Sequence, residues 1–282
     1  MSPLAFVIIT FVGSLGAGAL GALLGLGGGI IIIPMLTLFL GIDIHYAVGA
    51  SIISVIATSS GAAATYVRDH LANLRVGMFL EIGTTLGAIS GAYLAGILSG
   101  RLLYLIFAAV MAYSGVMMFR KRPDETMVVA KARPDPLATA LRMHASYYDH
   151  AIDAQVPYTV SGVLPSLGLM YVAGVVSGLL GIGSGALKVP AMDLAMRLPI
   201  KVSSATSNFM IGVTAAASAG IYFWRGDIVP LVAAPVALGV LVGATTGAKL
   251  LVRFRSATIR KVFIVVLAGV SIEMLLRGAG VA

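Results

Sequence analysis

Apolar stretches of 18 or more residues recur along most of this chain. A run of that length spans the hydrocarbon core of a bilayer as a helix. Within lipid, every backbone N–H and C=O must find its partner inside the protein. The chain therefore reads as an all-α polytopic membrane protein. Composition agrees: 59% of the 282 residues are hydrophobic and 11% are charged, against about 25% charged in soluble domains. The 34 glycines would weaken soluble helices but suit close helix packing in a membrane. The net charge of +8 fits basic residues gathered in cytoplasmic loops, not a nucleic-acid partner. No cysteine is present, so thiol chemistry, disulfides and thiolate metal sites are excluded. The opening "MSPLAFVIITFVGSLGAGAL" lacks the basic start of a secretory signal and has an internal counterpart. It is expected to be part of the mature protein.

That counterpart comes from a duplication. "ALLGLGGGIIIIPML", from Ala22, aligns with "GLLGIGSGALKVPAM", from Gly178, at an offset of 156 residues. The register continues without a gap for about seventy positions. It pairs Gly25, Gly27, Gly29 and Pro34 with Gly181, Gly183, Gly185 and Pro190. It also pairs Ser51 with Ser207, Tyr66 with Tyr222, and Gly83, Gly87 and Gly91 with Gly239, Gly243 and Gly247. Internal repeats of this kind are common in secondary transporters, with substrate held between the halves.

Each half reads as four hydrophobic segments: 4–40, 46–67, 74–98 and 102–120, then 160–198, 202–223, 228–250 and 257–276. The first of each four is too long for one plain helix. Its glycine cluster and its proline both interrupt helix, so each is expected to be a helix–loop–helix that breaks inside the membrane. The polar stretch 121–158 between the repeats (1–120 and 159–282) is a linker outside the membrane, with a short helix expected near 136–149. Basic residues set the orientation. The linker region carries Arg120, Lys121, Arg122, Lys131, Arg133 and Arg142; the later loop carries Lys249, Arg253, Arg255, Arg260 and Lys261. Both are expected to be cytoplasmic, as is the 68–75 loop with Arg68, His70 and Arg75. Each long first segment must then enter and return. Three crossings per half make two inverted four-segment repeats, with both termini outside.

Two long strings carry a family resemblance. "GLGGGIIIIPMLTLFLGIDIHYAVGASIISVIATSSGAAATYV" resembles the first signature of the sulfite exporter TauE/SafE family. "GIGSGALKVPAMDLAMRLPIKVSSATSNFMIGVTAAASAGIYF" resembles the second. The resemblance covers nearly all of the chain outside the linker. It implies a transporter of small sulfur-containing anions, such as sulfite or sulfonates, in the inner or plasma membrane, with a fold like the eight-segment plan above.

Lys188 stands out among candidate site residues. A charge at the bilayer centre costs roughly 2.5–3.5 kcal/mol or more on insertion scales, so it faces a cavity or a partner. It can bind an anion or form an ion pair with Asp193 or Glu81; the first repeat has Ile32 in its place. The glycine clusters come next, with Gly28, Gly29, Ser184 and Gly185 at the points of helix restart, where free N–H groups and the helix dipole favour an anion. Tight hairpin packing is the competing use of those glycines. Their strings mimic a nucleotide loop, but no strand precedes them. Ser51, Ser207 and Asn208 can donate to sulfonate oxygens or bond between helices. The same choice holds for Ser54, Thr58, Ser59, Ser203, Ser204, Thr206 and Thr214. Glu81 and Asp193 are candidate proton relays; Glu273 lies nearer an interface. His45, His70, His144 and His150 are scattered, without metal spacing.

No nucleophile–base pair, metal set or ATP motif is present in the sequence, so an enzyme is disfavoured and no cofactor is expected. The reading is a secondary transporter, an exporter, of small sulfur-containing anions bound between the repeats. A carrier or channel for another small anion, such as a carboxylate, is the alternative. The expected partners are the small anionic substrate and the lipid bilayer; homo-oligomer formation is left open.

Overall fold

The computed structural model describes residues 2–25, 27–120, 135–149, 152–251 and 256–280. Lys121, Arg122, Lys131 and Arg133 of the linker, His150, and Arg253 and Arg255 of the later basic loop lie outside them, as does Leu26. The described chain is helical except for one small hairpin. In the first half α1 spans Pro3–Leu24, α2 Gly29–Pro34, α3 Ile44–Arg68, α4 Leu74–Ala95 and α5 Gly100–Arg120. The linker holds α6 (Pro136–Ala140), β1 (Ala145–Asp149) and β2 (Ala154–Tyr158). The second half holds α7 (Val163–Leu180), α8 (Gly185–Leu194), α9 (Ile200–Arg225), α10 (Pro230–Leu251) and α11 (Ser256–Ala279). Among the described residues, five helices are long and apolar enough to cross a membrane, within α1, α3, α4, α7 and α10. The protein is a multi-pass membrane protein.

Both long first segments break where the glycines are. Gly25 caps α1 in the left-handed conformation (φ 72°), and its N–H reaches back to Ala22 O. Gly181 ends α7 the same way (φ 66°), bonding to Ser177 O. Such a conformation is costly for a side chain with a Cβ. The prolines behave differently from the expectation. Pro34 and Pro190 lie inside α2 and α8, so glycine alone makes the break. After Pro34 the coil widens into a π-helical turn, Met35–Phe39, whereas α8 runs on past Pro190 as α-helix to Leu194. The linker also differs. The helix stops at Ala140, Arg142 turns left-handed (φ 51°), and Ala145–Asp149 pairs antiparallel with Ala154–Tyr158. Tyr147, Tyr148 and Val156 favour a pleated surface over a helix.

Glycine also sets how the halves pack. The two most extensive helix interfaces are α1 along α10 and α4 along α7, each joining one repeat's hairpin to the other repeat. A Cβ at Gly239, Gly243 or Gly247 would meet the backbone of Phe11, Leu15 and Ala19 in turn, so α1 and α10 run parallel. Gly83, Gly87 and Gly91 meet Leu167, Tyr171 and Val175 in the same order. With no side chain between them the backbones approach directly, the small-residue packing that joins helices where no hydrophobic effect acts.

The two ends of the bundle differ. At the linker end, Asn73 Nδ2 donates to Met143 O (2.8 Å) and to Tyr158 Oη (3.0 Å). Arg75 Nη1 donates to Arg142 O (2.6 Å), and Lys201 Nζ to Asp149 Oδ1 (2.6 Å). Asp135 accepts from the N–H of Val163 and of Leu137, and these bonds hold its carboxyl below the ordinary range. Ser161 N–H donates to Met196 O (3.2 Å), so the α7–α8 hairpin starts and finishes at this one end. At the opposite end, Arg225 Nη1 donates to Ala92 O (3.0 Å) and Arg101 Nε to Gly278 O (2.9 Å).

Candidate functional site

The glycine breaks of the two hairpins meet in the interior. A Cβ at Gly27 would press on Ile211 and Val55; one at Gly183 would press on the same two side chains. Val55 and Ile211 are repeat partners at the 156-residue offset. The breaks therefore converge between α3 and α9. Around them lies a belt of fully buried polar residues: Ser51, Ser54 and Thr58 from α3, and Ser203, Ser204, Thr206, Ser207, Asn208 and Thr214 from α9.

Much of this belt ties down carbonyls that the breaks leave free. Ser51 Oγ donates to Gly181 O (2.8 Å), and Ser207 Oγ donates to Gly25 O (2.8 Å). Each serine holds the other repeat's hairpin, through equivalent bonds of equal length. Tyr66 Oη donates to Ala22 O (2.9 Å) and Tyr222 Oη to Gly178 O (2.6 Å), again as equivalents. Thr58 Oγ1 reaches Gly27 O (3.0 Å). Asn208 Nδ2 donates to Ala22 O (2.6 Å) and Ser204 O (3.1 Å), while its buried Oδ1 has no partner among the described residues. Ser184 adopts φ 56° where the first repeat has Gly28 (φ 72°), and its hydroxyl bonds to Gly183 O. Gly29 lies against Ser51, and the restart at Gly185 carries Lys188 one turn on.

Lys188 breaks the symmetry. Its side chain is completely buried, and Nζ donates to Thr214 Oγ1 at 2.6 Å. Thr214 Oγ1 in turn lies 2.5 Å from Glu81 Oε1 as donor, and Lys188 Nζ stands 3.5 Å from Glu81 Oε2. Thr85 Oγ1 adds a bond to Glu81 Oε1 (3.2 Å). The group draws on three helices: Lys188 from α8, Thr214 from α9, and Glu81 with Thr85 from α4. The ion pair crosses between the repeats. Its equivalent in the other half is uncharged, with Ile32 for Lys188, Thr58 for Thr214 and Ala237 for Glu81. Asp193, also fully buried, sits more than a turn further along α8. Of the two acidic partners considered for Lys188, the ion pair is with Glu81.

Glu81 Oε2 is buried with no hydrogen bond among the described residues, facing the ammonium only at ion-pair distance. Removing one member of such a pair strands the other, at a cost of about 3–5 kcal/mol.

Sequence reasoning placed Thr214 only among a wider set of polar residues, and its bridging role needed the fold. The Thr58/Thr214 equivalence was the available signal. The Lys201–Asp149 pair was missed, because a lysine at a helix start reads as an interface anchor.

A family description, sulfite exporter TauE/SafE, matches residues 10–274. The chain is similar to "Probable membrane transporter protein YunE" of Bacillus subtilis (strain 168), with 29% identity over 98% of this chain and 99% of that protein. It is similar to a "Probable membrane transporter protein" of Xylella fastidiosa (strain 9a5c), with 28% identity over 94% of this chain and 93% of that one. It is also similar to "Probable membrane transporter protein YdhB" of Bacillus subtilis (strain 168), with 26% identity over 80% and 82% of the two chains. No solved structure matches it significantly.

Proposed function

The chain belongs to the sulfite exporter TauE/SafE family, and from that membership we propose that this membrane transporter is a secondary carrier of small sulfur-containing anions, such as sulfite or organosulfonates. The substrate binds between the two repeats, with Lys188 as its counter-charge. One observation carries the reading: a fully buried ammonium on the restarting half of a broken helix, held by a carboxylate from the opposite repeat. An anion arriving there meets the full charge of Lys188 and the free N–H groups at the start of α8. Gly28, Gly29, Ser184 and Gly185 bring backbone to this region, and Ser51, Ser207 and Asn208 hold the breaks in place.

Glu81 supplies the coupling. While it is ionised it occupies Lys188. A proton on Glu81 removes that claim, so anion and proton bind together and leave together. The load is then neutral for a monovalent anion, and net movement follows the combined gradients, outward when the anion accumulates in the cytoplasm. Asp193, further along α8, is the candidate next station for the proton. The two halves take opposite orientations in the membrane, with the linker end cytoplasmic. Support comes from the basic linker and from the hairpins, which enter the bundle from opposite ends, each finishing at the end where it starts.

The test is flux into proteoliposomes with a panel of sulfite, thiosulfate, sulfoacetate, taurine and acetate. Saturable transport of the sulfur anions, faster with an inward proton gradient, is expected, with acetate poorly carried. Acetate preferred over every sulfur anion would move the assignment to a carboxylate carrier. Non-saturating flux at channel rates would replace the carrier by a channel.

A further inference from the structure

At the end of the bundle opposite the linker, a cavity of about 470 Å³ opens where the first hairpin finishes. Its walls combine the 41–44 turn after the π-helical stretch with the start of α5 and the end of α11. Two guanidinium groups line it, Arg101 and Arg277, with Thr37, Tyr104 and one carboxylate, Asp43. The lining carries a net positive charge. Asp43 is already engaged: its Oδ1 accepts from the backbone N–H and from Nδ1 of His45, both at 2.9 Å. Arg101 uses Nε on Gly278 O.

Arg277 is different. Its Nε is buried and donates to nothing among the described residues, and no described carboxylate lies within ion-pair distance. Glu273, one turn back on α11, acts on Arg277 electrostatically but neither reaches ion-pair distance nor lines the cavity. A buried charged donor without an acceptor is costly, and an anion in the cavity would relieve that cost. A planar guanidinium sharing a cavity with a second one suits an oxyanion with two or three equivalent oxygens. Thr37 sits within the π-helical turn, a distortion that recurs at functional positions.

The equivalent position at the other end is covered. His45 of α3 and Lys201 of α9 are repeat partners. Where His45 stands beside an open cavity, Lys201 is completely buried under the linker hairpin through Asp149.

We infer that the Arg101–Arg277 cavity is a second anion site, a vestibule that receives a small sulfonate or sulfite-like oxyanion at the mouth opposite the linker. The inference rests on the anion-carrier reading for its role but not for its existence. Asp43 in the wall limits the net attraction, which suits a site that must release its occupant.

The natural absence of cysteine makes a direct test available. In Ala279→Cys, purified in nanodiscs, the labelling rates of two methanethiosulfonates are compared, one ending in ethylsulfonate and one in ethyltrimethylammonium. The sulfonate reagent is itself a small anion of the proposed class. It is expected to be favoured about ten-fold or more over its ratio at an exposed control, Ile97→Cys, the scale at which local charge raises encounter rates. Arg101→Gln with Arg277→Gln should bring the ratio to that of the control, whereas Arg277→Lys should keep most of the preference. Size-exclusion profiles and melting temperatures confirm that each variant is folded; if the double variant is not, Arg277→Gln alone is compared with Arg277→Lys. Equal rates in Ala279→Cys, or a preference that survives loss of the guanidinium groups, would overturn the site. A protein that carries anions in liposomes but labels without charge preference refutes the vestibule alone. One that labels with the predicted preference but carries no anion refutes the carrier reading and leaves the vestibule standing.

Discussion

Ser51 and Ser207 show what single residues do at the centre. Each was legible as a repeat partner, and each was a candidate to donate to the substrate. In the folded chain each hydroxyl proton is directed at a carbonyl of the opposite hairpin. A buried carbonyl left without its donor costs about 1–3 kcal/mol. Ser51→Ala and Ser207→Ala should therefore each lower thermal stability, and by similar amounts because the bonds are equivalent. Thermal unfolding in detergent reads this directly. A change in one variant but not in the other would show that the two bonds are not equivalent. The identities of these residues were visible in the sequence; their partners were not, because bonds spanning 130 and 182 residues depend on how the halves dock.

At the level of elements, the long helices follow the apolar runs closely. The segment expected at 46–67 is the helix Ile44–Arg68, and that at 228–250 is Pro230–Leu251. The broken first segments were also legible, because Gly25–Gly29 and Gly181–Gly185 carry a strong local signal. The role of proline differs from the expectation: the helical path continues past both Pro34 and Pro190, and only the glycines end a helix. The linker hairpin was missed for another reason. Its strands are five residues each, and what secures them lies far away in sequence, at Asn73, Arg75 and Lys201. The Lys188–Glu81 pair was legible only as one of two alternatives, since both Glu81 and Asp193 were apolar-segment carboxylates. The register of α4 against α8 and α9 decided it.

For the whole molecule, the proposed orientation follows from the charge of the loops and from hairpins that enter from opposite ends and turn back in the interior. In the cysteine-free chain, Ser2→Cys should react with a membrane-impermeant thiol reagent in intact cells, while a cysteine in the linker hairpin, such as Gln155→Cys, should react only after permeabilisation. The reverse pattern would invert the orientation.

The central claim is that Lys188 serves the substrate and Glu81 serves Lys188. It predicts that stability and transport separate. Lys188→Met strands a buried carboxylate, so it should lose stability, by about 3 kcal/mol or more if Glu81 stays ionised, as well as transport. Lys188→Met with Glu81→Gln removes both charges, so stability should return. The most direct measurement is sulfoacetate flux in proteoliposomes containing this double variant, with its melting temperature taken from the same preparation. The account predicts near wild-type melting and flux no higher than in empty liposomes. Wild-type melting with restored flux would contradict it, and would make the pair a structural strut only.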